Sequence, residues 1–250
     1  MHIKEFFEKH PNIALALSGG ADSAYLLYAA KKYANRVKAY YVKSAFQPGF
    51  ELEDAKRLAE ELSTELRIID VDILSNDKVT SNTTDRCYHC KKVIFEAIVS
   101  AASNDGLDTV IDGTNASDDL SDRPGIRAIR ELGVLSPLRE CGITKAELRR
   151  LSKEAGLFTH EKPAYACLAT RIPTGTHISE DKLLCTENAE KHLFELGFKD
   201  FRVRYRDGAA LIQLRKADFP LLIAHQDFVF EELKKYYKAV YLDLEVRNEN

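Results

Sequence analysis

Short apolar runs that alternate with helical patterns constrain the fold of this chain more than any other feature. The apolar run at 13–17 ends in Ser-Gly-Gly and is followed by a helical pattern. Three more runs of strand-like composition, at 37–42, 66–71 and 109–112, are separated by segments with helical periodicity. Strands separated by helices form right-handed crossovers and a parallel sheet. The sequence therefore predicts an α/β fold that binds its ligand beyond the carboxyl ends of the strands.

The pattern changes near residue 163, which predicts two domains, 1–162 and 163–250. A fifth strand is predicted at 134–138, and Thr144 forms a capping box that opens the last helix of the first domain. The second domain has the order helix, strand, strand, helix, strand, with the hairpin signal Asp-Gly between its first two strands. This order is typical of a smaller α+β domain, and 250 residues suffice for two modest domains.

The segment Ser-Gly-Gly-Ala-Asp-Ser at 18–23 joins the first predicted strand to the first predicted helix. Glycines let the backbone approach a phosphate, and a helix N-terminus supplies N–H donors at the positive end of its dipole. The segment lacks the Gly-Lys-Ser/Thr of a Walker A loop. It is predicted to bind phosphate through five residues, with an ordinary strand-to-helix turn as the alternative: Ser18, Gly19, Gly20, Asp22 and Ser23.

The charge balance argues against general nucleic-acid binding. The chain has 36 Lys and Arg residues against 39 Asp and Glu residues, whereas such binding depends on neutralising phosphates. The first twelve residues lack the apolar core of a signal peptide, and no apolar stretch approaches the ~20 residues of a membrane span. We therefore expect a cytoplasmic protein without a nucleic-acid or membrane partner.

Three of the five cysteines are candidates for chemistry. Cys87 and Cys90 form a C-x-x-C, which in a cytosolic chain is half of a zinc site, a redox pair, or a chance spacing. Cys167 lies in a stretch rich in Gly, Pro and Thr, predicted as an exposed loop in which Arg171 favours the thiolate. Three thiols lacking a fourth protein ligand also suit an iron–sulfur cluster. The two remaining cysteines are predicted to be structural: Cys141 and Cys185.

These segments together resemble the LarE family of ATP-dependent sulfur transferases, which belongs to the PP-loop ATP pyrophosphatase superfamily. The resemblance runs over nearly the whole chain, and its most specific part surrounds Cys167. It implies a PP-loop fold with ATP and Mg²⁺ as ligands, and a homo-hexamer. The segments that carry it include LALSGGADSAYLL, DRCYHCKK, DGTNASDDLSDRPGIRAIRELGVLSPL, KPAYACLATRIPTGTHIS and FRVRYRDGAALIQL.

The resemblance also implies a reaction in the biosynthesis of the nickel-pincer nucleotide cofactor. ATP adenylates a carboxylate of a pyridinium biscarboxylate mononucleotide, and sulfur then replaces AMP to give a thiocarboxylate. In one branch of the family, the cysteine that matches Cys167 gives up its own sulfur. In the other branch, three cysteines hold a [4Fe-4S] cluster that carries a transferable sulfide. Because Cys87 and Cys90 are present here, the resemblance favours a cluster held by Cys87, Cys90 and Cys167.

Further residues match positions of the family and are expected to take part in binding or catalysis. The nucleotide is expected to contact residues that follow the second and fourth predicted strands: Ser44, Gly113 and Thr114. Arg171 and Glu190 are expected to be catalytic residues together with Cys167. Arg171, Arg202 and Arg204 are expected to bind the substrate's phosphate or carboxylates, since guanidinium binds oxyanions bidentately. The ordinary alternatives are an exposed helix glutamate at 190 and a solvated strand face at 202 and 204. Four charged loop residues could reach metal or AMP: Asp118, Asp119, Asp122 and Arg123.

Three other functions agree with parts of the sequence. A PP-loop tRNA thiolase would need a basic surface or an RNA-binding domain. An ATP-dependent amide-forming synthetase would not need Cys87, Cys90 or Cys167. A non-catalytic metal-binding or scaffold protein would not cleave ATP to AMP and pyrophosphate.

Overall fold

The computed structural model describes residues 1–118 and 124–247, and it divides into two compact units. The first unit comprises Met1–Ile73 and Asp85–Tyr165, and the second comprises Leu74–Thr84 and Ala166–Asn250. The division at 165/166 lies close to the expected boundary, whereas segment 74–84, expected in the first domain, belongs to the second unit. The domain assignment 1–162 and 163–250 stays a prediction.

The described residues form strands and helices that are numbered here in chain order. The strands are β1 (Asn12–Ala16), β2 (Arg36–Lys43), β3 (Glu65–Asp70), β4 (Thr109–Ile111), β5 (Phe201–Arg206), β6 (Ala209–Leu214) and β7 (Ala239–Leu242). The helices are α1 (Ile3–Lys9), α2 (Ala21–Tyr33), α3 (Gly49–Glu61), α4 (Asp77–Thr80), α5 (Arg86–Asn104), α6 (Pro124–Glu131), α7 (Pro137–Glu140), α8 (Lys145–Glu154), α9 (Glu180–Glu195), α10 (Phe219–Ala224) and α11 (Gln226–Lys234).

The first unit contains a four-stranded parallel sheet in the order β3-β2-β1-β4. Successive residues of β1 alternate between two buried clusters, with Ile13 and Leu15 in one and Ala14 in the other. Both faces of the sheet are therefore covered, which explains why β1 is continuously apolar from Ile13 to Ala16 instead of alternating with polar residues. The sheet confirms the predicted α/β class.

The predicted fifth strand at 134–138 is wrong. Leu135 alone forms a parallel bridge, with Ile111, and the chain then enters α7 at Pro137. Proline suits the first turn of a helix, because its fixed φ is helical and it has no N–H to donate to a ladder. The C-x-x-C lies at the start of α5, with Cys87 as the second residue of the helix and Cys90 as the fifth.

The second unit contains a three-stranded sheet in the order β5-β6-β7. β5 and β6 are antiparallel, and the turn between them places Asp207 at φ 51° and Gly208 at φ 83°. Positive φ at both central residues is what a two-residue hairpin of this twist requires, so the Asp-Gly signal is confirmed. β7 pairs in parallel with β6. Side chains of α9 and α11 pack with this sheet in one buried cluster.

Asp105, at the end of α5, joins that helix to the sheet of the first unit. Its Oδ2 accepts a hydrogen bond from Tyr40 Oη at 2.7 Å and lies 3.0 Å from Lys38 Nζ and 3.1 Å from Arg67 Nη1. The hydrogen bond from Tyr40, followed by that from Lys38, lowers the pKa of Asp105 from 3.8 to about 2. The ionised carboxylate is thus favoured in the folded state.

We predict that Asp105→Asn removes an acid-sensitive part of the stability. A carboxyl whose pKa is lowered by folding contributes stability above its unfolded pKa of 3.8 and loses it as the pH falls towards about 2. The free energy of urea unfolding should therefore fall less steeply with acid in the variant than in the wild type. Asp70→Asn is the control, because its ion pair with Lys43 is exposed. Equal acid dependence of Asp105→Asn and the wild type would refute this account.

Candidate active site

The segment 18–23 connects β1 to α2 and bends at Gly19. Gly19 has φ 73°, and a Cβ there would lie 2.5 Å from the Glu51 carbonyl oxygen of α3. Both the positive φ and this close approach require glycine. α2 begins after Gly20 without a side-chain cap, so an anion can take the capping position at its N-terminus.

The two serines of this segment, which we call the PP-loop, contact each other across it. Their Oγ atoms lie 3.0 Å apart, and Ser23 Oγ also accepts from Ser18 N at 3.2 Å and donates to the Gly20 carbonyl at 3.2 Å. Ser23 is buried. The loop is therefore folded by its own hydroxyls, with Ser18, Gly20 and Ser23 held around one concave turn.

Asp22, in the first turn of α2, has two partners that the sequence reasoning missed. Lys145 Nζ, on the first residue of α8, donates to Asp22 Oδ1, and Asn115 Nδ2 donates to Oδ2 at 3.4 Å. Thr144 caps α8 by accepting from Glu147 N, which confirms the predicted helix start and places Lys145 at the helix N-terminus. The Glu147 carboxylate, which would complete the predicted capping box, instead pairs with Arg150. Asp22 thus supplies a carboxylate, the preferred kind of ligand for Mg²⁺, beside the loop.

The turn after β4 packs directly onto the PP-loop. A Cβ at Gly113 would lie 3.0 Å from Ser23 N, so glycine permits this approach. The buried Asp112 accepts from Thr114 Oγ1 at 2.6 Å and from Ser136 Oγ at 2.7 Å, which fixes the turn. The structure therefore brings Gly113 and Thr114 to the predicted loop, although they lie ninety residues away in the sequence.

A cavity of about 280 Å³ lies at this end of the sheet. Its polar wall includes Ser18, Asp22 and Thr114, and its apolar wall includes Tyr40 and Phe95. A cavity with an apolar wall facing a few convergent polar groups is the usual form of a small-molecule site. Ser44, which was expected to contact the nucleotide, is not among the residues that line this cavity. Its Oγ donates to Oε1 of Gln47 at 2.6 Å, and Gln47 does line the cavity.

Helix α5 carries the C-x-x-C in its first two turns and part of the cavity wall just beyond it. Cys87 is exposed and Cys90 is buried, and residues three apart share one side of a helix. Arg86 Nη2 donates to Cys87 Sγ at 3.4 Å. Lys91 lines the cavity and lies 5.1 Å from the centre of the Phe95 ring. Both thiols are therefore carried by the same rigid element as part of the cavity wall.

Cys167, in the second unit, lies just before a 3₁₀ turn, Leu168–Arg171, and is half-buried where the sequence predicted exposure. Its carbonyl accepts from Thr170 Oγ1 at 2.8 Å. Arg171 Nη1 donates to the Ala166 carbonyl at 2.8 Å, and Arg204 Nη1 donates to the Thr170 carbonyl at 2.9 Å. Two arginines thus hold the backbone on both sides of this cysteine.

Arg171 and Glu190 form a buried ion pair, so the exposed helix glutamate considered above is wrong. Both side chains are at most 2% exposed, and two hydrogen bonds of 2.8 and 3.1 Å join the guanidinium to the carboxylate. Glu190 Oε1 also accepts from Val203 N at 2.9 Å, which ties α9 to β5. These contacts support the Cys167 segment, and a catalytic role for either residue stays a prediction.

Arg202 and Arg204 are not a solvated strand face. Arg202 is buried and donates to the Phe201 carbonyl at 2.6 Å, and Arg204 Nε donates to Gln213 Oε1 at 2.5 Å. Burial, and then the charge of Arg171, lowers the pKa of Arg204 below its ordinary value. A role of these guanidinium groups in substrate binding stays a prediction.

Asn82 holds the end of the Cys167 segment, and nothing in the sequence pattern singled it out. Its Nδ2 donates to the carbonyls of Pro173 at 2.8 Å, Thr176 at 3.1 Å and Ile172 at 3.3 Å. Gly175 N donates back to the Asn82 carbonyl at 2.8 Å. Asn82 is buried with φ 52°, a conformation that asparagine tolerates better than most residues.

The remaining candidates are placed as follows. Asp118 lines the cavity, and its Oδ2 accepts from Asn115 N at 2.9 Å, whereas Asp119, Asp122 and Arg123 lie outside the described residues. Within the described ranges, no three His, Cys, Asp or Glu side chains are grouped so as to hold a metal ion.

The helices described are all too short or too polar to cross a bilayer. Two cysteines pack against apolar cores, which raises the pKa of their thiols and agrees with the structural role predicted for them: Cys141 and Cys185.

Comparison with known proteins gives one family model and several relatives. The model described as queuosine biosynthesis protein QueC matches residues 12–116. A pyridinium-3,5-bisthiocarboxylic acid mononucleotide synthase of Lactiplantibacillus plantarum is 34% identical, over 93% of this chain and 85% of that protein. An uncharacterized protein of Synechocystis is also 34% identical, over 98% of this chain and 92% of that protein. The tRNA-specific 2-thiouridylase MnmA of Thermotoga maritima is 28% identical, over 60% of this chain and 54% of that protein.

We predict that Glu190→Gln destabilises the protein by about 3–5 kcal/mol, because it leaves the Arg171 charge buried without its carboxylate. The free energy of unfolding, measured in urea, provides the test. Glu195→Gln on the same helix is the control, since its pairing with Lys191 is exposed and should contribute less than about 1 kcal/mol. If both variants unfold at the same urea concentration, the buried pair does not stabilise the Cys167 segment as argued.

Proposed function

The chain belongs to the family of pyridinium-3,5-bisthiocarboxylic acid mononucleotide synthases, and we propose that it converts carboxylates of a pyridinium mononucleotide to thiocarboxylates. It is an ATP-dependent sulfurtransferase of the PP-loop type, a family that implies ATP and Mg²⁺ as ligands. The observation that supports the proposal most is the PP-loop itself. Ser18, Gly19 and Ser23 lie at the N-terminus of α2, and the loop borders a cavity with an apolar wall.

The proposed reaction has two steps. A substrate carboxylate oxygen attacks the α-phosphorus of ATP, the α–β phosphoanhydride bond breaks, and pyrophosphate leaves with its electron pair. The product is an acyl adenylate, whose carbonyl carbon is a far better electrophile than that of a carboxylate. Sulfide then attacks this carbon, the bond to the AMP oxygen breaks, and AMP leaves. A second round on the other carboxylate gives the bis-thiocarboxylate.

The loop residues have distinct roles in the first step. The backbone N–H groups at the start of α2 and the hydroxyls of Ser18 and Ser23 bind the departing pyrophosphate. The Asp22 carboxylate is a suitable ligand for Mg²⁺, which neutralises phosphate charge when it is bound there. Lys145 pairs with Asp22 and adds a positive charge at the same place. Gly113 and Thr114 would contact the nucleotide from the turn after β4.

The proposed sulfur source is a [4Fe-4S] cluster held by Cys87, Cys90 and Cys167, with the sulfur of Cys167 itself as the alternative. The donor set suits such a cluster, because thiolates are soft ligands that favour iron–sulfur centres. The cluster would supply a sulfide bound to the iron that has no protein ligand. We also propose a homo-oligomer, on family resemblance alone.

We predict that the two steps separate by mutation. Asp22→Asn should lower AMP and pyrophosphate formation by about 10²-fold, because a neutral amide is a poorer ligand than a carboxylate for the Mg²⁺ that neutralises the phosphate charge in the transition state. Cys167→Ser should still release pyrophosphate with the pyridinium substrate and form no thiocarboxylate. Pyrophosphate release assays and mass spectrometry of the product measure the two steps.

Cys185→Ser is the matched control, since this half-buried thiol of the second unit packs against an apolar core. It should retain both steps. Thiocarboxylate formation by Cys167→Ser would contradict the assignment of Cys167. Thiolation of tRNA in place of the pyridinium mononucleotide would favour the function named for the thiouridylase relative.

We predict that the protein purified without oxygen is brown and contains about four iron atoms and acid-labile sulfide per chain. Cys87→Ser should lower the iron content, and Cys141→Ser should not, because Cys141 packs against the core of the first unit. Iron and sulfide analysis together with the visible absorption spectrum provide the measurement. A colourless, zinc-loaded protein would refute the cluster, and dehydroalanine at position 167 after turnover would establish the sacrificial mechanism instead.

A further inference from the structure

Lys162 joins the PP-loop to helix α3, and the sequence reasoning assigned it no role. Its Nζ donates to the Gly19 carbonyl at 2.9 Å and to the Asp54 carboxylate of α3. The same ammonium lies 5.1 Å from the centre of the Phe50 ring. The Lys162 side chain is 18% exposed, so these contacts are mostly shielded from solvent. One cation thus bridges the backbone of the loop and the first turns of α3.

Helix α3 contacts the loop at a second point. Its Glu51 carbonyl oxygen would lie 2.5 Å from a Cβ at Gly19, so the loop backbone rests directly on the first turn of the helix. Residues 51 and 54 are three apart and therefore lie on one side of α3. Gly19 is consequently held between a backbone contact at Glu51 and the Lys162–Asp54 bridge.

The bond to Lys162 fixes the orientation of the peptide between Gly19 and Gly20. In a planar trans peptide the C=O and the following N–H point in opposite directions. Holding the Gly19 carbonyl towards Lys162 therefore turns the Gly20 N–H the other way, towards Ser18 Oγ at 3.4 Å. A peptide between two glycines has little intrinsic preference for one orientation, because neither residue carries a Cβ.

We infer that Lys162 is a positioning residue, which keeps the Gly20 N–H directed into the concave side of the PP-loop for pyrophosphate binding. The inference rests on the proposed function in one respect, namely that this loop binds the pyrophosphate part of ATP. Lys162 acts through the Gly19 peptide and need not touch the ligand itself. The ligand that the PP-loop would bind is a diphosphate group, either as inorganic pyrophosphate or within a nucleotide.

Helix α8 supports Lys162 from the other side. Arg149 donates to the carbonyls of His160 at 3.2 Å and Lys162 at 3.4 Å, which fixes the backbone that carries the ammonium. The first residue of the same helix is Lys145, the partner of Asp22. One helix therefore positions both lysines that contact the PP-loop and its acidic residue.

Calorimetric titration of the full chain with Mg²⁺ and inorganic pyrophosphate tests the inference. Lys162→Met should weaken binding by about tenfold or more, the effect of losing a charged hydrogen bond that holds the loop. Lys31→Met is the matched control, since Lys31 Nζ donates to the Ser63 carbonyl at the same 2.9 Å but on an exposed surface. Its affinity should equal that of the wild type.

Asp54→Asn distinguishes positioning from simple charge attraction and serves if Lys162→Met does not fold. Removing a negative charge near the loop would strengthen pyrophosphate binding if charge alone mattered. If Asp54 holds Lys162 on the Gly19 carbonyl, the same variant should weaken binding. Tighter binding by Asp54→Asn, or equal binding by Lys162→Met and Lys31→Met, would overturn the inference.

The proposed function can fail separately from this inference. Wild-type protein that binds pyrophosphate but never forms AMP with a pyridinium carboxylate would refute the proposed function and leave the role of Lys162 testable by the same titration. Wild-type protein that forms AMP, with Lys162→Met equal to it in pyrophosphate affinity and in KM for ATP, would refute the inference alone. A rise in KM for ATP in Lys162→Met, with kcat less affected, would support it.

Discussion

Two close backbone approaches determine the geometry of the candidate site, and both depend on the absence of a side chain. Gly19 lies against the Glu51 carbonyl of α3, and Gly113 lies against the first turn of α2 at Ser23. A methyl group at either position would push apart the elements that surround the cavity. The segment that follows β1 and the turn that follows β4 can therefore lie against each other, and the hydroxyls and N–H groups of the loop face one space. Lys162, Lys145 and Asp22 are arranged around these two backbone contacts.

The sequence predicted those parts of the site that are encoded locally, and it missed those that depend on distant contacts. The PP-loop is a continuous string after an apolar strand, so its place at the strand end follows from periodicity and glycine chemistry. Lys145, Lys162 and Asn82 carry no such signal, because each acts on a segment about ninety or more residues away in the chain. The parallel sheet was predictable for the same local reason, whereas the fifth strand failed at Pro137, where the chain enters a helix.

The sequence also could not predict which charged side chains are buried. Glu190 lies on a helix and Arg202 on a strand, where a charged side chain is ordinarily exposed, yet both are buried. Burial of such groups is tolerable only when each has a partner, and the partner of Glu190, Arg171, lies nineteen residues earlier in a loop. Arginine and glutamate at these positions are what a site that binds oxyanions would contain. A buried ion pair contains the same two residue types, so the sequence cannot distinguish the two roles. The structure thus adds a second reason for these charges, the support of the Cys167 segment.

The contacts that support the two parts of the proposed chemistry are separate. Those that orient the PP-loop come from α3, α8 and the turn after β4, which all belong to the first unit. Those that hold the backbone around Cys167 come from Arg171, Arg204 and Asn82 in the second unit. The PP-loop and the backbone around Cys167 are therefore each preorganised by contacts within their own unit, which reduces the ordering that substrate binding must supply. Substitutions at Arg171, Arg204 or Asn82 therefore leave the hydrogen bonds described for the PP-loop in place, because none of those bonds involves these three residues.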